Sequence, residues 1–93
     1  MQIEFDLLKR NKTLAERGLD FSRAVEVFNG PVVNQADNRA NYGEPRTITF
    51  GLLDGRWVVV IWTPRGAARR IISMRYANER EIKRYARQVG RSG

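Results

Sequence analysis

Cysteine and histidine are both missing from the 93 residues. Without cysteine there can be no disulfide and no thiolate metal site. Without histidine the commonest general base, the serine triad and most transition-metal ligation are gone as well. Neither a metal nor a cofactor is therefore expected. Long apolar runs are lacking too: nothing approaches the ~20 consecutive apolar residues of a spanning helix, so no membrane partner is expected. The opening Met1-Gln2-Ile3-Glu4-Phe5-Asp6 has neither the basic start nor the apolar run of a signal peptide, which points to the cytoplasm. Apolar residues are only 42% of the chain, enough for one small core and one domain over residues 1–93.

Acidic residues are scarce. There are 10 Asp and Glu against 17 Lys and Arg, a net charge of +7. The excess is uneven: residues 1–45 carry a net −1 and residues 46–93 a net +8. Arginine outnumbers lysine 14 to 3. Its planar fork binds phosphate through two parallel hydrogen bonds and its face stacks on bases. So basic a second half points to RNA or DNA as a partner.

The pattern along the chain is mixed. Ile3 and Phe5 alternate with polar neighbours, as in a short strand. Asp6 can cap a helix running to about Arg17, with Leu7, Leu8, Leu14 and Ala15 on its apolar face and Gly18 just past its end. Asp20 can cap a second helix, on which Phe21, Ala24, Val25 and Phe28 share one side. Asn29-Gly30-Pro31 stops it. Residues 34–45 have no periodic apolar set and read as a long loop, the kind of segment that often binds.

From Arg46 onward three strands follow in a meander. Asp54-Gly55 marks the first hairpin, because both residues tolerate the positive φ of a primed turn. Trp57–Trp62 is apolar on both faces, as a central strand should be. Strict alternation would put Arg69, Ile71, Ser73 and Arg75 on one face of the last strand and Arg70, Ile72, Met74 and Tyr76 on the other. Val32-Val33 and the N-terminal strand can extend the edges. Asn78 with Glu81 forms a capping box for a last helix, striped by Ile82, Tyr85, Ala86 and Val89 and ended by Gly90. The expected fold is α+β: a curved antiparallel sheet packed with two N-terminal helices and one C-terminal helix.

Few residues can do chemistry here. Arg75, on a strand whose neighbour is almost wholly apolar, must sit near the strand end, pair with an acid such as Glu79 or Glu81, or face a groove, where it would clamp a phosphate. Arg65 sits in a turn beside Gly66, and Arg46 opens its strand next to the long loop. Tyr85 lies on an apolar helix stripe, where packing is the default. Trp57 and Trp62 either pack or offer a base-stacking platform. No G-x-G-x-x-G loop and no metal-loop spacing of carboxylates occurs. RNA cleavage by the substrate's own 2′-hydroxyl still suits such a set. The protein need only align that group, withdraw one proton and stabilise charge on phosphorus.

The chain resembles the BrnT family, ribonuclease toxins of bacterial type II toxin–antitoxin modules with a RelE-like fold. The resemblance runs from Phe5 to about Arg87. It rests on Phe5-Asp6 with Lys9; on Gly18 with Phe21, Ala24 and Phe28; and on Arg46, Gly51 and the strand from Gly55 to Thr63. It rests above all on Arg70-Ile71-Ile72-Ser73-Met74-Arg75-Tyr76-Ala77, with Glu81 and Tyr85 at the family's E-x-x-x-Y spacing. The chain departs from the family at Phe5 (tryptophan), Thr13 (asparagine) and Glu16-Arg17 (lysine-histidine). The resemblance implies a small ribonuclease that inhibits translation. It also implies a cognate ribbon-helix-helix antitoxin and, through that antitoxin, contact with operator DNA.

Residues and resemblance together give one expectation: a metal-independent endoribonuclease. Arg46, Arg65 and Arg75 hold the scissile phosphate, and Lys9 and Tyr85 serve proton transfer or positioning. Arg69, Arg70, Arg80, Lys83 and Arg84 carry the RNA. The alternative is a RelE-like nucleic-acid- or protein-binding module without catalysis. Arg17 in place of histidine favours that alternative, since arginine is a poor base; Arg75, Glu81 and Tyr85 oppose it.

Overall fold

The structure, a computed structural model, describes residues 1–89. Strand β1 (Gln2–Phe5) leads into helix α1 (Leu7–Arg17). Asp6 caps α1 as its residue type predicts, accepting from the Leu8 and Lys9 amides. Gly18 ends it at φ 70°, in the left-handed region that glycine enters without strain. The second helical segment starts with a 3₁₀ turn (Phe21–Arg23), capped by Asp20, and continues as α2 (Ala24–Asn29). Strands β2 (Val33–Ala36), β3 (Thr47–Leu53), β4 (Arg56–Arg65) and β5 (Ala68–Tyr76) precede the short helix α3 (Glu79–Tyr85). The Asn78–Glu81 capping box forms in both directions. The expected stop at Gly90 lies outside the described residues.

The sheet order is β1-β5-β4-β3-β2. The apolar Trp57–Trp62 run therefore falls in the middle strand, buried on both sides. One core, around Phe21, Val27, Val58, Val60, Ile71 and Met74, lies under α2 and the 3₁₀ turn. The other, around Phe50, Val59 and Ile61, lies under α3. A Cβ on Gly51 would stand 2.9 Å from Val27, so glycine lets α2 sit down on β3.

Four expectations need correcting. The sheet is mixed rather than antiparallel, because β1 pairs in parallel with β5. Such a pairing joins the first strand to the last, about 65 residues away along the chain, and no local pattern encodes it. Residues 34–36 belong to a strand, not the loop; their polar side chains reflect an edge position beside β3.

The third correction concerns the face of β5. Ile61 pairs with Ser73 and Trp62 with Ile71, so Ile72 is an unpaired bulge residue. The extra residue resets the alternation. Arg69, Ile71, Met74 and Tyr76 face α2, and Arg70, Ile72, Ser73 and Arg75 face α3.

Last, the leucine face of α1 does not pack. Leu7 is 63% exposed, Leu8 79% and Leu14 38%. Arg10 turns toward the body instead, with its fork on Asp20 at 2.8 and 3.0 Å.

Candidate nucleic-acid interface

The residues expected to act on RNA fall into three places. At the start of β3, Arg46 donates from Nε to Glu44 at 3.2 Å, and its guanidinium lies 4.0 Å over the Tyr42 ring. Arg65, at the end of β4, approaches the same Glu44 at 3.6 Å. These two cations are brought together by one carboxylate. Both Nη groups of Arg46 have no hydrogen-bond partner among the described residues. They are the donors a phosphate needs.

Arg75 stands on β5 and meets the first turn of α3. Its two Nη groups donate to the two Glu81 oxygens at 2.7 and 2.8 Å, a bidentate fork. Glu81 also accepts from the Asn78 amide at 2.9 Å. The pair is partly buried, with side chains 33% and 21% exposed. Arg75 holds the Glu81 carboxyl below the usual carboxylate range, and Glu81 raises Arg75 in turn. Burial opposes both shifts.

Lys9 belongs to neither group. It projects from α1 into a cavity of about 230 Å³ against Ile72 and Ser73 of β5. Tyr85 packs on Phe50, with ring centroids 5.6 Å apart, and its hydroxyl donates to Gln35 at 2.8 Å.

The expected RNA-carrying residues also divide. Arg69 lies on the α2 side, 4.2 Å from the Trp62 ring and 4.6 Å from that of Phe28. Arg70 lies on the other side, 3.7 Å from Glu4. Arg80, Lys83 and Arg84 are exposed on α3. Both tryptophans are engaged in packing: Trp57 stacks on Phe50 at 4.8 Å, and Trp62 donates to Thr49.

Sequence reasoning missed the residues that link these places. Asp37, whose side chain is fully buried, accepts from Arg39 at 2.7 and 2.8 Å. Arg39 pulls the Asp37 carboxyl down, and Arg46 adds a smaller pull. The charge of Arg39 in turn reaches Arg75 and Glu81. The Asp37 amide also donates to the Arg46 carbonyl at 2.8 Å, which ties this loop to the start of β3. The signal available was Asp37-x-Arg39 inside an otherwise featureless polar loop. Among the described residues no three Asp or Glu side chains converge as a metal cage.

These ion pairs predict the acid response. Asp20, Glu26, Asp37, Asp54 and Glu81 are all lowered by arginine partners. A carboxylate with a depressed folded-state pKa stabilises the fold fully above its unfolded value. That stability disappears as pH falls through the folded value. Melting temperature should hold down to about pH 5 and fall progressively below about pH 4. A melting temperature flat to pH 2 would contradict the pairings.

Residues 5–81 match the family model of the BrnT ribonuclease toxin of type II toxin–antitoxin systems. A search of curated proteins found no match. Among the described residues no helix is long and apolar enough to cross a membrane. The family match begins where β1 runs into the α1 cap and ends on the carboxylate that Arg75 grips, and it covers most of the chain. The chain therefore belongs to the BrnT family of ribonuclease toxins of type II toxin–antitoxin systems.

Proposed function

We propose that this chain is a metal-independent endoribonuclease of RelE-like fold. It acts as one domain over residues 1–93 in the cytoplasm, and a cognate ribbon-helix-helix antitoxin neutralises it. The observation that carries the reading is Arg46, whose guanidinium plane is held by Tyr42 and Glu44 while both Nη groups remain free for a phosphate. Arg65 beside it adds a second charge. The substrate's 2′-oxygen attacks phosphorus, the 5′-oxygen leaves, and a 2′,3′-cyclic phosphate remains. The proton lost by the 2′-hydroxyl is balanced by one gained at the 5′-oxygen. Cations facing the phosphorane oxygens lower that barrier without a metal. Arg75 has both Nη groups on Glu81, which suits it to positioning rather than first contact. Lys9 and Tyr85 position, Arg70, Arg80, Lys83 and Arg84 carry the flanking strand on the α3 side of the sheet, and Arg69 adds RNA contact from the opposite side.

A protein partner is supported by the exposed Leu7, Leu8 and Leu14 on α1. The antitoxin would cover them and bring the complex to operator DNA.

Purified protein incubated with a structured RNA, with and without EDTA, tests the chemistry. Cleavage should survive the chelator and leave cyclic or 3′-phosphate ends. A 3′-hydroxyl product, or activity lost with EDTA and restored by magnesium, refutes it.

A further inference from the structure

β1 covers only the first part of β5, from Ala68 to Ile71. Beyond it, the edge of β5 has no strand on that side among the described residues, because the sheet order places β1 outermost. Helix α1 lies along this free edge, and Arg17 donates from Nη1 to the Met74 carbonyl at 3.0 Å. Between helix and edge lies the cavity of about 230 Å³ lined by Lys9, Lys12, Thr13, Glu16, Arg17 and Ser73, floored by Phe21 and Ile72.

The charge state of this lining differs from that of the arginines on β3, β4 and β5. Arg46, Arg65, Arg70 and Arg75 each have a carboxylate partner. Lys9, Lys12 and Arg17 form no ion pair among the described residues. Three unneutralised cations thus converge on one concavity, with Glu16 the one acid in the lining and the hydroxyls of Thr13 and Ser73 available as donors. Like charges held together without a counter-ion repel, and a bound anion relieves that repulsion. Only the methylene stems of such lysines pack, so their ammonium groups stay available.

We propose that this cavity seats a phosphodiester of the RNA strand, held by Lys9, Lys12 and Arg17. The inference rests on RNA as the substrate but not on cleavage. Ser73 and Arg70 share a face of β5 three residues apart, roughly 10 Å at the rise of a strand. A single strand crossing that face therefore reaches both the cavity and the Arg70 side of the sheet.

The probe is a short single-stranded 2′-O-methyl oligonucleotide, which cannot be cleaved. Its affinity is measured across a salt series for the native chain, Lys9→Gln, Lys12→Gln, Glu16→Gln and Arg23→Gln. Arg23 pairs with Glu26 and Asp54 and controls for the loss of one charge elsewhere. Each lysine variant should bind more weakly and flatten the log–log salt slope by about 0.7. Both lysine variants should melt with the native protein, since neither lysine holds a partner. Glu16→Gln should bind more tightly. Inorganic phosphate should compete only at concentrations far above those of the oligonucleotide.

Equal weakening by Lys12→Gln and Arg23→Gln would reduce the effect to net charge and overturn the proposal. Competition by inorganic phosphate at the oligonucleotide's own concentration would make the cavity a free-phosphate site and overturn it as well. A chain that binds through these lysines yet never cleaves RNA would sink the ribonuclease reading alone.

Discussion

Arg46→Ala is expected to slow RNA cleavage roughly a hundredfold, the usual cost of removing one donor from a developing oxyanion. The fold should tolerate the change. Arg46 contributes one ion pair at 3.2 Å between side chains 24% and 28% exposed, and one stack over Tyr42. Together these are worth about 1 kcal/mol, or about 4–8 °C in a domain of this size. Arg46→Lys should recover only part of the rate, because a point charge cannot present two parallel donors. Glu44→Gln separates the alternatives: it frees both Arg46 and Arg65 and should leave cleavage intact or faster. If Arg46→Ala cleaves at the native rate per folded molecule, the phosphate is held elsewhere and Arg46 only anchors the loop.

The local elements were legible because their causes are local. Asp6, Gly18, Asp54-Gly55 and the Asn78–Glu81 box each act within a few residues, and each stands where its chemistry requires. The apolar run at Trp57–Trp62 predicted a middle strand, since only a middle strand hides both faces. The parallel partner of β1 was not legible, because its register is chosen by the return of β5 at the far end of the fold. The bulge at Ile72 was hidden for another reason. Arg69 to Tyr76 alternates well enough in either phase, and only the pairing with β4 shows that one residue is extra.

The site was less legible than the fold. Net charge pointed to the second half of the chain, where most arginines lie. The structure neutralises many of those with Glu4, Glu44 and Glu81, two of them from the acidic first half. The cations left without a counter-ion around a cavity, Lys9, Lys12 and Arg17, come from the half whose charges sum to −1. Summed charge cannot distinguish a paired cation from a free one. The leucine face of α1 misled in the same way, since periodicity identifies an apolar stripe without saying whether this chain or another protein covers it.

Arg75→Ala is expected to act through stability first. The substitution removes both prongs of a partly buried fork and leaves Glu81 with only the Asn78 amide. Charge-assisted hydrogen bonds in such a setting are worth about 1–2 kcal/mol after screening, or roughly 5–15 °C of melting temperature. Helix α3 also loses one of its two polar ties to the sheet, keeping only Tyr85 to Gln35, so Ile82 and Tyr85 should loosen over Phe50 and Val59. Arg75→Lys restores the charge but not the fork and should recover less than half of the loss. Glu81→Gln should lower the melting temperature too, because it leaves the same guanidinium without its carboxylate. Cleavage rate at saturating RNA, corrected for folded protein, distinguishes positioning from contact. A positioning Arg75 gives variants whose corrected rate stays within a few-fold of native and falls in parallel for Arg75→Ala and Glu81→Gln. A phosphate-contacting Arg75 gives an Arg75→Ala protein that melts near native but scarcely cleaves, while Glu81→Gln, with its arginine released, cleaves at least as well. The second pattern would overturn the positioning role and return Arg75 to the scissile phosphate.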